Sequence, residues 1–378
     1  MNSVKTIILA GIAMWSVSCT STNSQVTRQK NEAIFKEAYA DQFYIGAALN
    51  LEQIWERNPT ASNVVEKHFN SIVAENCMKS MFMQPREGEF YFKDADQFVE
   101  YGEKHNMHIV GHTLIWHSQA PKWFFTDKEG NDVSRDILIA RMRNHIHTIV
   151  SRYKGRIDGW DVVNEAILDN GEYRKSKFYE IIGEDFIPLA FQFAQEADPN
   201  AELYYNDYST AIPAKRAGIV RLTRKLQEAG IKIDGLGMQE HHGLTHASLE
   251  ETEKTINDFA DLGVKVMVTE MDISVLPHAR QHVGAELTDT AAYNKSLDPY
   301  KESLPGDKMK ELGERYIDFF TLYLKHQDKI SRVTLWGVGD ADSWKNDWPI
   351  EGRTDYPLLF DRNYEPKPFF TDLVSLAK

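Results

Sequence analysis

Glu165 follows the run Gly159-Trp160-Asp161-Val162-Val163-Asn164, and Glu270 follows Val264-Lys265-Val266-Met267-Val268-Thr269. Each glutamate stands where an apolar, β-branched run stops, the place at which a buried parallel strand reaches the surface. A single carboxylate there is most simply a solvated strand end. Two in matching contexts can divide the work of breaking a glycosidic bond. One is protonated and assists the leaving oxygen, and the other is ionised and attacks or stabilises the anomeric carbon.

Such a pair needs a scaffold that points strand ends at one another. Short apolar runs at 43–48, 71–74, 108–111, 157–163, 202–205, 233–238, 264–269 and 333–336 read as strands. Amphipathic stretches at 60–70, 95–105, 134–153, 177–197, 214–229, 249–262, 309–327 and 368–376 read as helices between and after them, with a further one at 29–40. Ser134 is placed to cap its helix, and Gly230 and Gly263 follow two others where a C-terminal glycine belongs. Strand-helix alternation of this kind predicts a single-domain α/β fold, a (β/α)8 TIM barrel whose active site lies at the C-terminal ends of the strands. The long irregular stretch from Ser274 to Lys308 follows the seventh strand and is expected to shape the cleft.

The other strand ends deliver Glu75, Asn76 and Lys79; His112, Trp116, His117 and Gln119; Asn206, Asp207 and Tyr208; Gln239 and His241; and Trp336, with Trp344 in the next loop. Amides, imidazoles, carboxylates and flat indoles in one ring suit a sugar, whose hydroxyls need directional hydrogen bonds and whose ring faces need stacking. The histidines also invite a metal reading. No pair has a recognised zinc-ligand spacing and His-Glu-x-x-His is absent, so no metal and no cofactor is expected. His145 and His147 lie in an arginine-rich helix and are expected on its solvated face. Asp207 and Asp272 read as supports rather than catalytic groups, and Cys77 as a small buried hydrophobe.

Several segments together resemble the endo-β-1,4-xylanases of glycoside hydrolase family ten. They are Glu75-Asn76-Cys77-Met78-Lys79, the run from Gly111 to Pro121, Trp160 to Ala166, Tyr205-Asn206-Asp207-Tyr208, Gln239-Glu240-His241, Val268 to Ile273, Leu335-Trp336-Gly337, Ser343-Trp344 and Pro357-Leu358-Leu359-Phe360-Asp361. The resemblance implies a retaining double displacement on xylan and xylo-oligosaccharides, with Glu165 as general acid/base and Glu270 as nucleophile. It implies that Asn164 bonds the sugar 2-hydroxyl, that His241 orients Glu270 and keeps it ionised while Glu165 stays protonated, and that Gln239 supports that network. Lys79, His112, Trp116 and Gln119 match the subsite of the sugar being cleaved, and Glu75 and Asn76 reach the next sugar. Trp336 and Trp344 close the cleft, and Tyr208 is a platform on the leaving-group side. A cellulase or mannanase of the same clan is the competing enzyme reading. A non-catalytic glycan-binding barrel is the competing non-enzyme reading, and would be expected to lack one carboxylate.

The formal net charge of −13 argues against nucleic-acid partners and against electrostatic docking on anionic lipid. Lys5, the uncharged apolar run Thr6 to Val17 and the small residues before Cys19 read as a signal peptide over residues 1–18. Lipidation at Cys19 would follow, with a tether and helix over 19–40 and the catalytic domain over 41–378. The expectation is therefore an exported monomer, either anchored in a bacterial envelope through Cys19 or secreted, with no other membrane contact.

Overall fold

The computed structural model describes residues 34–277, 290 and 292–377. The expected signal peptide and Cys19 lie outside the described residues, as do positions 278–289 and 291 of the loop after the seventh strand. The compact unit runs from Ala33 to Lys378. It begins before residue 41 because Phe35 and Tyr39, on and just after the short helix Phe35–Ala38, are buried against Phe320.

Among the described residues the sheet has nine parallel strands. They are β1 (Tyr44–Leu49), β2 (Ser71–Ala74), β3 (His108–Trp116), β4 (Gly159–Asn164), β5 (Glu202–Asp207), β6 (Gly235–Met238), β7 (His241–Gly243), β8 (Lys265–Ser274) and β9 (Ile330–Leu335). Neighbours in sequence pair from β1 to β6, β6 pairs with β8, β8 with β9, and β9 returns to β1, which closes an eight-stranded barrel. The expected strands are all present. The addition is β7, three residues that pair with the far end of β8 at His241–Asp272, above the point where β6 leaves that edge.

Side chains alternate across these strands, so each strand packs on two cores. The outer core lies between strands and helices. The inner one holds Ala48, Val73, Val110, Tyr204, Met267 and Trp336, with Trp344 packed on it. At Gly111 a side chain is sterically excluded, because a Cβ there would lie 2.2 Å from the buried ring of Trp160 on the adjacent strand.

Ser134 accepts a hydrogen bond from the amide of Ile137, as its capping position predicts. The helix expected over 177–197 is instead two, Lys177–Ile182 and Phe186–Ala197. Gly183, with φ of +84°, takes the left-handed conformation that closes the first of them. His145 is a second correction. It is fully buried, with Nδ1 2.8 Å from Gln84 Oε1 and Nε2 3.3 Å from Ser80 Oγ, and burial pushes its pKa down to about 3. It falls on the same stripe of helix Arg135–Arg152 as Leu138, Met142 and Ile149, which the helical period places inward. His147, in contrast, is part-exposed beside Glu196. Cys77 is buried, and its thiol is pushed up to about 12, mainly by that burial.

Candidate active site

A cleft of about 670 Å³ crosses the C-terminal ends of the strands. Glu75, Asn76 and Lys79 line it from the loop after β2, and His112, Trp116 and Gln119 from β3 and its loop. Asn164 ends β4 and Glu165 follows it, Tyr208 lies just beyond β5, Gln239 just beyond β6, His241 opens β7, and Glu270 comes from β8. Trp336 and Trp344 line it from the end of β9. Every residue expected to touch a sugar therefore faces one space. His117 does not line this cleft; it borders a small space behind Glu165 together with Arg174 and Phe178.

Glu270 is held from two sides. Asn206 Nδ2 donates to Oε1 at 2.6 Å, and His241 Nε2 lies 3.3 Å from Oε2. Burial alone would lower the pKa of His241. The charge of Asp272 and hydrogen bonds to Asp272 and Glu270 outweigh burial and raise it to about 9. At neutral pH the ring therefore carries both protons, one directed at Asp272 Oδ2 at 3.0 Å and the other at Glu270. Asp272 also accepts from Trp344 Nε1 at 2.9 Å, so it fixes an indole wall and the imidazolium together.

Glu165 is held by different groups. Gln239 Nε2 donates to Oε1 at 2.9 Å and Trp116 Nε1 donates to Oε2 at 2.9 Å. Gln239 also donates to Asn164 Oδ1 at 3.3 Å, and Asn206 Nδ2 reaches the same oxygen at 3.1 Å. A chain of side-chain amides thus joins the two carboxylates. Gln239, expected to support the network around the two glutamates, has Glu165 as its carboxylate partner. The peptide after Met238 turns through Glu240, φ +61°, so neighbouring side chains Gln239 and His241 serve different carboxylates.

The charge state of Glu165 also departs from expectation. Burial pushes its pKa up, but the charge of His117, the hydrogen bonds from Gln239 and Trp116, and the charge of Arg174 together outweigh it. The net position is below the ordinary glutamate value, which opposes the protonated state that the resemblance implies.

Around this centre, His112 Nδ1 bonds Asp161 Oδ2 at 2.9 Å and its ring meets Trp336 edge-on at 5.3 Å. Lys79 Nζ donates to Asn76 Oδ1 at 2.9 Å and lies 5.0 Å from the centroid of Trp116. Burial pushes Lys79 down and Glu75 up, as it must for charges withdrawn from water. Asp207 is fully buried, 2.8 Å from Lys215 Nζ, which suits a support. Asn206 was placed at its strand end by sequence but given no task. Trp348, four residues after Trp344, was missed; the two rings stack at 4.9 Å with an interplanar angle of 16°. Its repeat spacing in an aromatic loop was the available signal.

A family model described as glycosyl hydrolase family 10 matches residues 34–376. A protein named endo-1,4-beta-xylanase A from Xylanibacter ruminicola is 51% identical over 347 residues, covering 92% of this chain and 94% of its own length. Among solved structures, a family 10 endoxylanase retrieved from sugarcane soil metagenome superposes with a TM-score of 0.86 at 47% identity, covering 92% of this chain and 100% of that one. A mutant xylanase of Thermoanaerobacterium saccharolyticum in complex with xylotriose superposes with a TM-score of 0.79 at 34% identity, covering 91% of this chain and 99% of that one.

Proposed function

The chain belongs to glycosyl hydrolase family 10 and hydrolyses xylan as an endo-1,4-β-xylanase; we propose that it does so by a retaining double displacement, with Glu270 as nucleophile and Glu165 as general acid/base. The observation that carries this reading is the amide chain in which Asn206, Asn164 and Gln239 tie both glutamates into one rigid unit. Glu270 attacks the anomeric carbon while Glu165 gives its proton to the departing oxygen. Water, deprotonated by Glu165, then releases the sugar from Glu270 with its original configuration. The His241 imidazolium faces Glu270 and orients the attacking carboxylate.

Two refinements follow from the hydrogen bonds. Asn164 Oδ1 already accepts from two amides, so the group it offers to a sugar 2-hydroxyl is its Nδ2 donor. Glu165, held through both oxygens by Gln239 and Trp116, is aimed by them at the departing oxygen. Lys79, His112, Trp116 and Gln119 bind the sugar being cleaved, Glu75 and Asn76 bind its neighbour, and Trp336 and Trp344 exclude the hydroxymethyl group that glucose carries. Tyr208 stacks on the leaving-group side. Export through the N-terminal segment completes the reading, with the chain either anchored at Cys19 or secreted, supported by the apolar run and the small residues before Cys19.

The test is a substrate panel with the mature chain. Linear and branched xylan should be cut to xylo-oligosaccharides, with early release of several chain lengths, and carboxymethyl cellulose and mannan should be cut on the order of 100-fold more slowly. Equal rates on cellulose would contradict the roles given to Trp336 and Trp344.

A further inference from the structure

The chain leaving Glu165 folds straight back to it. Ile167 pairs antiparallel with Tyr173, and the amide of Arg174 donates to Ala166 O at 2.8 Å. The tip turns at Gly171, φ +82°, where a Cβ would lie 2.3 Å from Ala214 O, and Arg221 donates to Gly171 O at 2.7 Å. This pinned hairpin delivers Arg174 beneath Glu165. Arg174 Nε donates to the backbone carbonyl of Glu165 at 2.9 Å, and Nη2 donates to the hydroxyl of Tyr208 at 2.8 Å.

Glu165 has φ of +59°, a left-handed conformation that a residue other than glycine keeps only when its surroundings impose it. Its amide is fixed to Asn206 O at 2.9 Å, so Arg174 supplies the restraint on the other side of the same residue. Tyr208 is equally constrained, with Lys215 Nζ 3.2 Å from its ring centroid and Arg174 on its hydroxyl.

We propose that Arg174 is a positioning residue that couples the leaving-group side of the cleft, through Tyr208, to the backbone that aims Glu165. The proposal rests on the assignment of Glu165 as acid/base. A sugar stacked on Tyr208 bears on a ring held by the guanidinium that also holds the Glu165 carbonyl, so an occupied leaving-group subsite and a correctly aimed proton donor are one state. Proton transfer to the departing oxygen depends on this bridge; attack by Glu270 does not. The Arg174 charge also draws the Glu165 carboxyl downward, so its loss lets that group titrate at higher pH.

The test compares phenyl and 2,4-dinitrophenyl β-xylobiosides as substrates for Arg174→Gln, Tyr208→Phe and Glu165→Ala, with active sites counted by a dinitrophenolate burst. Phenoxide needs a proton to leave and dinitrophenolate does not. For Arg174→Gln, kcat/KM should fall about 10- to 100-fold on the phenyl glycoside and at most about threefold on the dinitrophenyl one. The limb of its pH profile belonging to Glu165 should move to higher pH. Tyr208→Phe should show the same selectivity with a smaller loss. Equal losses on both substrates, or no loss, in Arg174→Gln would overturn the proposal, and if that variant does not fold, Tyr208→Phe decides by the same criterion. Should Glu165→Ala itself lose equally on both, the acid/base assignment fails. If Glu165→Ala is selective and Arg174→Gln is not, only the bridge fails.

Discussion

Glu270→Ala should lower kcat/KM on xylan on the order of 10⁵-fold, because it removes the group proposed to form the covalent intermediate. Circular dichroism and a thermal melt separate this from misfolding. The substitution leaves Asn206 Nδ2 and the His241 imidazolium facing an emptied position, and an unmet buried donor costs about 1–3 kcal/mol, which a domain of this size tolerates. The shorter side chain also leaves room for a small anion beside His241, but an anion there cannot restore the configuration of a double displacement. A folded Glu270→Ala protein that still hydrolyses xylan at the unmodified rate would remove Glu270 from the mechanism.

Glu165→Ala should separate the two halves of the reaction. On xylan, whose leaving sugar needs a proton, turnover should fall about 10³- to 10⁴-fold. With 2,4-dinitrophenyl β-xylobioside the first half needs no proton, so a burst of dinitrophenolate should appear, followed by a slow steady state in which the glycosyl-enzyme waits for water that nothing deprotonates. Azide needs no deprotonation, so adding it should restore turnover and yield a β-xylosyl azide. The structure gives a reason to expect room for it: Gln239 Nε2 and Trp116 Nε1, both at 2.9 Å from the Glu165 oxygens, remain as donors once the carboxylate is gone. No response to azide would mean that Glu165 has been given the wrong role.

What could be read before the structure and what could not follow from the range of the interactions involved. Glu165 and Glu270 were legible because each follows a β-branched run that marks a strand, although β8 continues past Glu270 to Ser274. The cleft residues followed, since a closed parallel barrel brings all its strand ends together whatever the loops do. Which carboxylate Gln239 bonds was not legible, because its partner depends on the φ of Glu240, and no local pattern in the sequence reports a left-handed glutamate. The link from Asn206 to Glu270 crosses from β5 to β8 and depends on barrel register, which sequence alone does not fix. Arg174 was illegible for another reason. It lies outside every strand end, and only the hairpin turning at Gly171 returns it to Glu165. His145 and the break at Gly183 were different, since helical period and a left-handed glycine are local signals, and the inward stripe containing Leu138, Met142 and Ile149 already pointed to the first.

The resting charge of Glu165 is the point at which sequence resemblance and structure part. Resemblance implies a protonated acid, whereas burial, which favours it, is outweighed by His117, Gln239, Trp116 and Arg174.

The most direct measurement is the anomeric configuration of the first product, followed by proton NMR from the start of hydrolysis of a xylo-oligosaccharide by the unmodified chain. Two successive displacements at the anomeric carbon, by Glu270 and then by water, predict that the β-anomer appears first and the α-anomer only later, by mutarotation. If the α-anomer appears first, water attacks directly, and Glu270 is a base rather than the nucleophile.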